Sequence, residues 1–83
     1  MEITRIQALR SGVLTINGRP SSLQQLASKL HEIKTANGIV QYFREQPRLP
    51  ATAQQQRVFD AVMAAEVPVE FHRAPDFSDR ARQ

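Results

Sequence analysis

The spacing of apolar residues switches between two periods along this chain. Leu23, Leu26, Ala27, Leu30 and Ile33 recur at intervals that put one apolar stripe on a helix over 22–36. Val58, Phe59, Val62 and Met63, flanked by Ala61, Ala64 and Ala65, do the same over 52–66. Each stretch opens on a capping box, Ser22 with Gln25 and Thr52 with Gln55. In such a box each side chain satisfies a free backbone N–H of the other residue. Ser21 with Gln24 is a register-shifted alternative for the first helix. Asn37-Gly38 closes that helix, with Gly38 expected in the left-handed position just past its end.

Elsewhere the period shortens. Ile39, Val40, Tyr42 and Phe43 are interrupted only by Gln41, which predicts an interior strand over 38–44 with a helix covering it. Val67, Val69 and Phe71 alternate with Pro68, Glu70 and His72, predicting a last strand over 67–72. Pro68 suits the start or the exposed side of that strand because it has no N–H to donate. Ile3, Ile6, Ala8 and Leu9 predict a first strand over 2–9, with a helix as the alternative because Ile3 and Ile6 are three apart. Ser11-Gly12 breaks it, and 13–16 is a second β-rich run that enters the tight-turn pair Asn17-Gly18. Pro20 favours an extended Arg19, so the second strand is interrupted or ends near Asn17. The order β-β-α-β-α-β predicts a two-layer sandwich, α+β or small α/β, with two helices packed on a mixed sheet. Residues 1–73 form the single domain, and 74–83, which have no period, a flexible tail.

Composition narrows the function classes. Eighty-three residues support one core, and a domain this small buries a modest share of its surface, so a partner or a second copy could add burial. The absence of cysteine removes disulfides, thiol nucleophiles and thiolate-ligated metals. No apolar run approaches the roughly 20 residues that span a bilayer. The N-terminus also lacks the basic-then-apolar order of a secretory signal. The expectation is therefore a chain without membrane insertion, located in the cytoplasm, unless it is a piece of a longer membrane-anchored protein. The net charge of +3 comes from eleven basic residues against eight acidic ones scattered through every segment, so a binding stripe would require convergence in space.

Several stretches together carry a likeness to a known family. They are Gly12-Val13-Leu14-Thr15-Ile16-Asn17-Gly18-Arg19-Pro20, then Ser22-Leu23-Gln24-Gln25-Leu26, then 39–45, 58–63 and 67–71. Across 12–71 the chain resembles the globular domain of the ExbD/TolR family. The resemblance implies a protein-interaction domain, often self-associating, with no active site. Members of that family join the domain to one transmembrane helix and use proton flow to energise work at the outer membrane. This chain departs there, having neither that helix nor the intramembrane carboxylate. Ala65-Glu66 stands where the family has Ala-Gly before the last strand. The architecture carries over; the transport role and any catalytic residue do not.

No constellation of side chains marks an enzyme, and neither cofactor nor metal is expected. His31 reads as a solvated residue on the polar side of the first helix. His72 has Glu70 as its one neighbour for acid–base work and would still need a nucleophile within reach. A metal site would require His31 and His72 to meet a carboxylate. The three glycines are isolated and form no phosphate-gripping loop. The function expected is a protein-interaction module that pairs with itself as a homodimer or with another protein. Unguarded strand edges at 2–9 or 67–72 would serve it. Ile3 and Ile6 are candidate contacts on the first edge. Arg44, Arg48 and Arg57 are candidates for an acidic partner at the strand ends. The alternative is a nucleic-acid-binding domain, with Arg5, Arg10, Arg19 and Arg73 on one sheet surface and Tyr42, Phe43 and Phe71 stacking bases.

Overall fold

The computed structural model describes residues 2–74, 76 and 77. The chain runs β1 (Ile3–Ala8), β2 (Leu14–Ile16), β3 (Arg19–Ser21), α1 (Leu23–Thr35), β4 (Ile39–Arg44), α2 (Ala53–Ala64) and β5 (Val69–His72). The five strands form one sheet in the order β3-β2-β1-β4-β5. β1, β4 and β5 are parallel, and the antiparallel hairpin β2–β3 extends the sheet beyond β1. Both helices pack on one face, giving a two-layer α+β domain with a mixed sheet. Among the described residues, no helix is long and apolar enough to cross a membrane.

Strand alternation explains the layering. Thr4, Ile6 and Ala8 of β1 and Val40 and Tyr42 of β4 are buried on the helix side. There Ile6, Ala8, Val40 and Tyr42 meet Leu26, Leu30 and Ile33 of α1 and Val58 and Val62 of α2 in one cluster with Leu14 and Val67. Fully burying aliphatic side chains of this kind contributes about 1.5–3 kcal/mol each. Both capping boxes form. Ser22 Oγ accepts from Gln25 N–H at 3.1 Å and Gln25 Oε1 from Ser22 N–H at 2.7 Å; the Thr52–Gln55 pair matches at 3.1 and 3.0 Å.

Three local expectations are corrected. A third strand, β3, lies in 19–21. Asn17 (φ 52°) and Gly18 (φ 84°) make a two-residue turn of the kind that returns the chain along β2; the second strand does end beside Asn17, at Ile16, and what the predicted order lacked is β3. The left-handed residue closing α1 is Asn37 (φ 57°), with Gly38 N–H donating to Ile33 O at 2.8 Å and Asn37 N–H to Lys34 O at 3.2 Å. Gly38 is required for a different reason: a Cβ there would sit 2.9 Å from Glu2 O. The N-terminal strand is no edge. β1 lies at the centre of the sheet, because β4 pairs along its whole length on one side and β2 on the other.

Part of the tail expectation, residue 75 and residues 78–83, lies outside the described residues. At the end of α2, Glu66 takes the left-handed conformation (φ 57°) that glycine adopts without penalty. Its exposed ion pair with Lys34, 3.7 Å, contributes little. Glu66→Gly is expected to raise stability by about 0.5–1 kcal/mol, a few degrees in thermal midpoint followed by circular dichroism.

Candidate functional site

The two sheet edges differ in what they offer a partner. β3 pairs with β2 through Ile16↔Arg19 and Leu14↔Ser21, which close the two-residue turn. Alternation then turns the backbone of Pro20 outward, and proline has no N–H. The β3 edge is guarded. At the other edge, Pro68 O accepts from Val40 N–H at 2.9 Å, so the even residues of β5 face β4. Val69 and Phe71 therefore aim their N–H and C=O groups away from the sheet. Among the described residues nothing pairs with them. Pro68 does not guard this edge, since its own backbone points inward.

An aromatic cluster flanks the open edge on the helix side. Tyr42 meets Phe59 and Phe71 edge-on, with ring centroids 6.2 and 5.9 Å apart, and Phe59 lies 6.4 Å from Phe71. Phe71 is nevertheless 48% exposed. Burial pushes the Tyr42 phenol above its ordinary value of 10.0, and the Arg44 guanidinium partly offsets this. The phenol oxygen finds no hydrogen-bond partner among the described residues.

The helix-free face is organised in cross-strand rows. Arg5, Gln41 and Glu70 stand side by side on β1, β4 and β5. Arg5 Nε donates to Gln41 Oε1 at 3.0 Å, and Gln41 Nε2 donates to Glu70 Oε1 at 3.1 Å. The next row holds Thr15, Gln7, Phe43 and His72, with Thr15 Oγ1 donating to Gln7 Oε1 at 2.9 Å. His72 Nε2 lies 3.2 Å from Glu70 Oε1, which links the rows. Glu70 thus meets both His72 and Gln41, an arrangement that braces neighbouring strands. His31 is on α1 in the other layer, so the two histidines do not converge. Among the described residues no three metal-ligating side chains cluster.

The residues singled out from the sequence are dispersed. Ile3 is 49% exposed on the helix-free face. Ile6 is fully buried beneath the helices, which corrects its expected role as a contact on an N-terminal edge. Arg44 donates from Nη2 to Leu49 O and holds the β4–α2 connection. Arg10 clamps the same connection from the turn after β1, donating from Nη1 to Pro50 O at 2.6 Å, while its N–H donates to Glu45 Oε1 at 2.7 Å. Arg48 and Arg57 are exposed. Tyr42 and Phe43 are buried on opposite faces, so Tyr42, Phe43 and Phe71 form no shared stacking platform.

Sequence reasoning missed Gln55. It is fully buried, and beyond its capping role its Nε2 donates to Ala8 O and Glu45 O, both at 3.0 Å. Its position in the capping box was legible; its reach across to two strand ends was not. No protein-family model matches the chain, and no curated protein matches it in sequence, so the ExbD/TolR resemblance rests on the residues quoted for it.

Proposed function

We propose that this domain is a protein-interaction module that associates through the β5 edge, with a second copy of the chain as its first partner. The observation that carries the reading is the asymmetry of the edges: Pro20 guards β3, whereas Val69 and Phe71 present backbone groups that nothing among the described residues pairs, beside an exposed aromatic ring. Such an edge accepts another strand through main-chain hydrogen bonds. Two copies related by a twofold axis would pair β5 with β5 antiparallel, each burying the other's Phe71. The ExbD/TolR resemblance, which implies self-association, points the same way, as does the limited burial open to an 83-residue domain.

Sedimentation velocity across a dilution series, at low and moderate salt, tests this. A dimer that dissociates on dilution and is insensitive to salt is expected. Phe71→Lys should abolish it, because a lysine on the edge opposes strand addition. The fold should survive, with a loss of about 1–2 kcal/mol from the two ring contacts. A wild-type monomer at every concentration sinks self-pairing. A dimer that persists in Phe71→Lys sinks the β5 edge, and one that salt dissolves points instead to charged contacts.

A further inference from the structure

Phe43 and His72 lie on the face of the sheet that no helix covers, yet each is only 6% exposed. Among the described residues, Phe77 contributes to their shielding. Its ring lies edge-on to Phe43 at 6.5 Å between centroids and to His72 at 5.4 Å, with the Arg5 guanidinium carbon 5.3 Å from its centre. One ring thus touches β1, β4 and β5 together. Phe77 also holds a left-handed backbone (φ 60°), its N–H donating to Ala74 O at 2.9 Å. That conformation is disfavoured for a bulky L-residue and persists only where its surroundings over-determine it.

We propose that the Phe77 side chain is a latch on the helix-free face, seated between Phe43, His72 and Arg5 and released by local opening while the domain stays folded. Among the described residues three side-chain contacts close the latch, and a strained backbone opposes closure. The helix-side core, which includes none of these side chains, is untouched by its release. Opening uncovers Phe43 and His72 beside the Arg5–Gln41–Glu70 row, so Phe77 is an intramolecular occupant of a surface otherwise available to a partner. The latch is independent of β5-edge pairing, because it covers side chains on the face and leaves the outward backbone groups of Val69 and Phe71 alone.

Histidine modification by diethyl pyrocarbonate, read peptide by peptide by mass spectrometry, tests the latch on the full chain. His31, exposed on α1, is the internal standard. In the wild type His72 should react more slowly than His31 by about tenfold or more, at a rate flat in low urea, as local opening requires. In Phe77→Ala the His72 rate should approach that of His31, with the far-ultraviolet circular dichroism and a cooperative urea transition retained. His72 remaining protected in Phe77→Ala overturns the proposal. So does a wild-type rate that rises only in step with global unfolding, or a Phe77→Ala chain that fails to fold, since either makes Phe77 part of the cooperative core.

Discussion

Gln55→Leu is expected to cost about 3 kcal/mol, and Gln55→Glu more. The Gln55 amide makes three hydrogen bonds at full burial: Oε1 accepts from Thr52 N–H, and Nε2 donates to Ala8 O and Glu45 O. Those carbonyls sit where β1 and β4 end, joined there by Glu45 N–H donating to Ala8 O at 2.9 Å. One side chain therefore ties the first turn of α2 to two strands. Leucine matches the volume and loses all three bonds, at about 1 kcal/mol each. Glutamate is the instructive variant. On an exposed helix it completes a capping box as well as glutamine does. Here it would turn a carboxylate oxygen toward two carbonyl oxygens, at a side chain that bulk solvent does not reach. A fall in thermal midpoint of roughly 15–20 °C is expected for leucine, with a larger fall for glutamate. A glutamate variant as stable as wild type would show that the amide does not hold the two carbonyls.

Ile6→Lys should unfold the protein. Ile6 is fully buried, opposite Ile16 and Tyr42 in the register of the sheet, and faces the helices. An unpaired ammonium there costs about 3–5 kcal/mol. A chain of this length has a total stability of roughly 4–12 kcal/mol. Loss of the cooperative urea transition, or its shift to very low denaturant, is the expected result. A folded Ile6→Lys monomer from a dimeric wild type would instead restore an N-terminal interface. The contrast with Phe71→Lys is the point: both put lysine in place of an apolar strand residue, one at the centre of the sheet and one at its edge. Stability should respond to the first and association to the second.

Local structure was legible from the sequence because its causes are local. Both helices begin at the capping boxes that Ser22 and Thr52 announce, and β4 and β5 follow from the period of their apolar residues. Sheet order was not legible. Nothing in the alternation of Ile3 to Ala8 says whether one or both sides of that strand are paired; the partners come from β2 and from β4, which begins only at Ile39. That uncertainty sent Ile6 to a surface it does not occupy. Arg44 leaves a similar gap, since a charged residue ending a strand reads as a binding rim and nothing local announces its hydrogen bond to the carbonyl of Leu49. Phe77 carried no periodic signal, because its partial burial comes from contacts with three strands that meet only in the folded sheet.

Amide hydrogen exchange at Val69 and Phe71, followed by NMR as the protein is concentrated, tests the central claim most directly. Their N–H groups point away from β4, so in the monomer they should exchange fast while the N–H groups of Glu70 and His72 are protected by the sheet. Pairing through the β5 edge predicts that both become protected as concentration rises, in proportion to the associated fraction. Fast exchange at both amides in a sample that sedimentation shows to be associated would contradict the account.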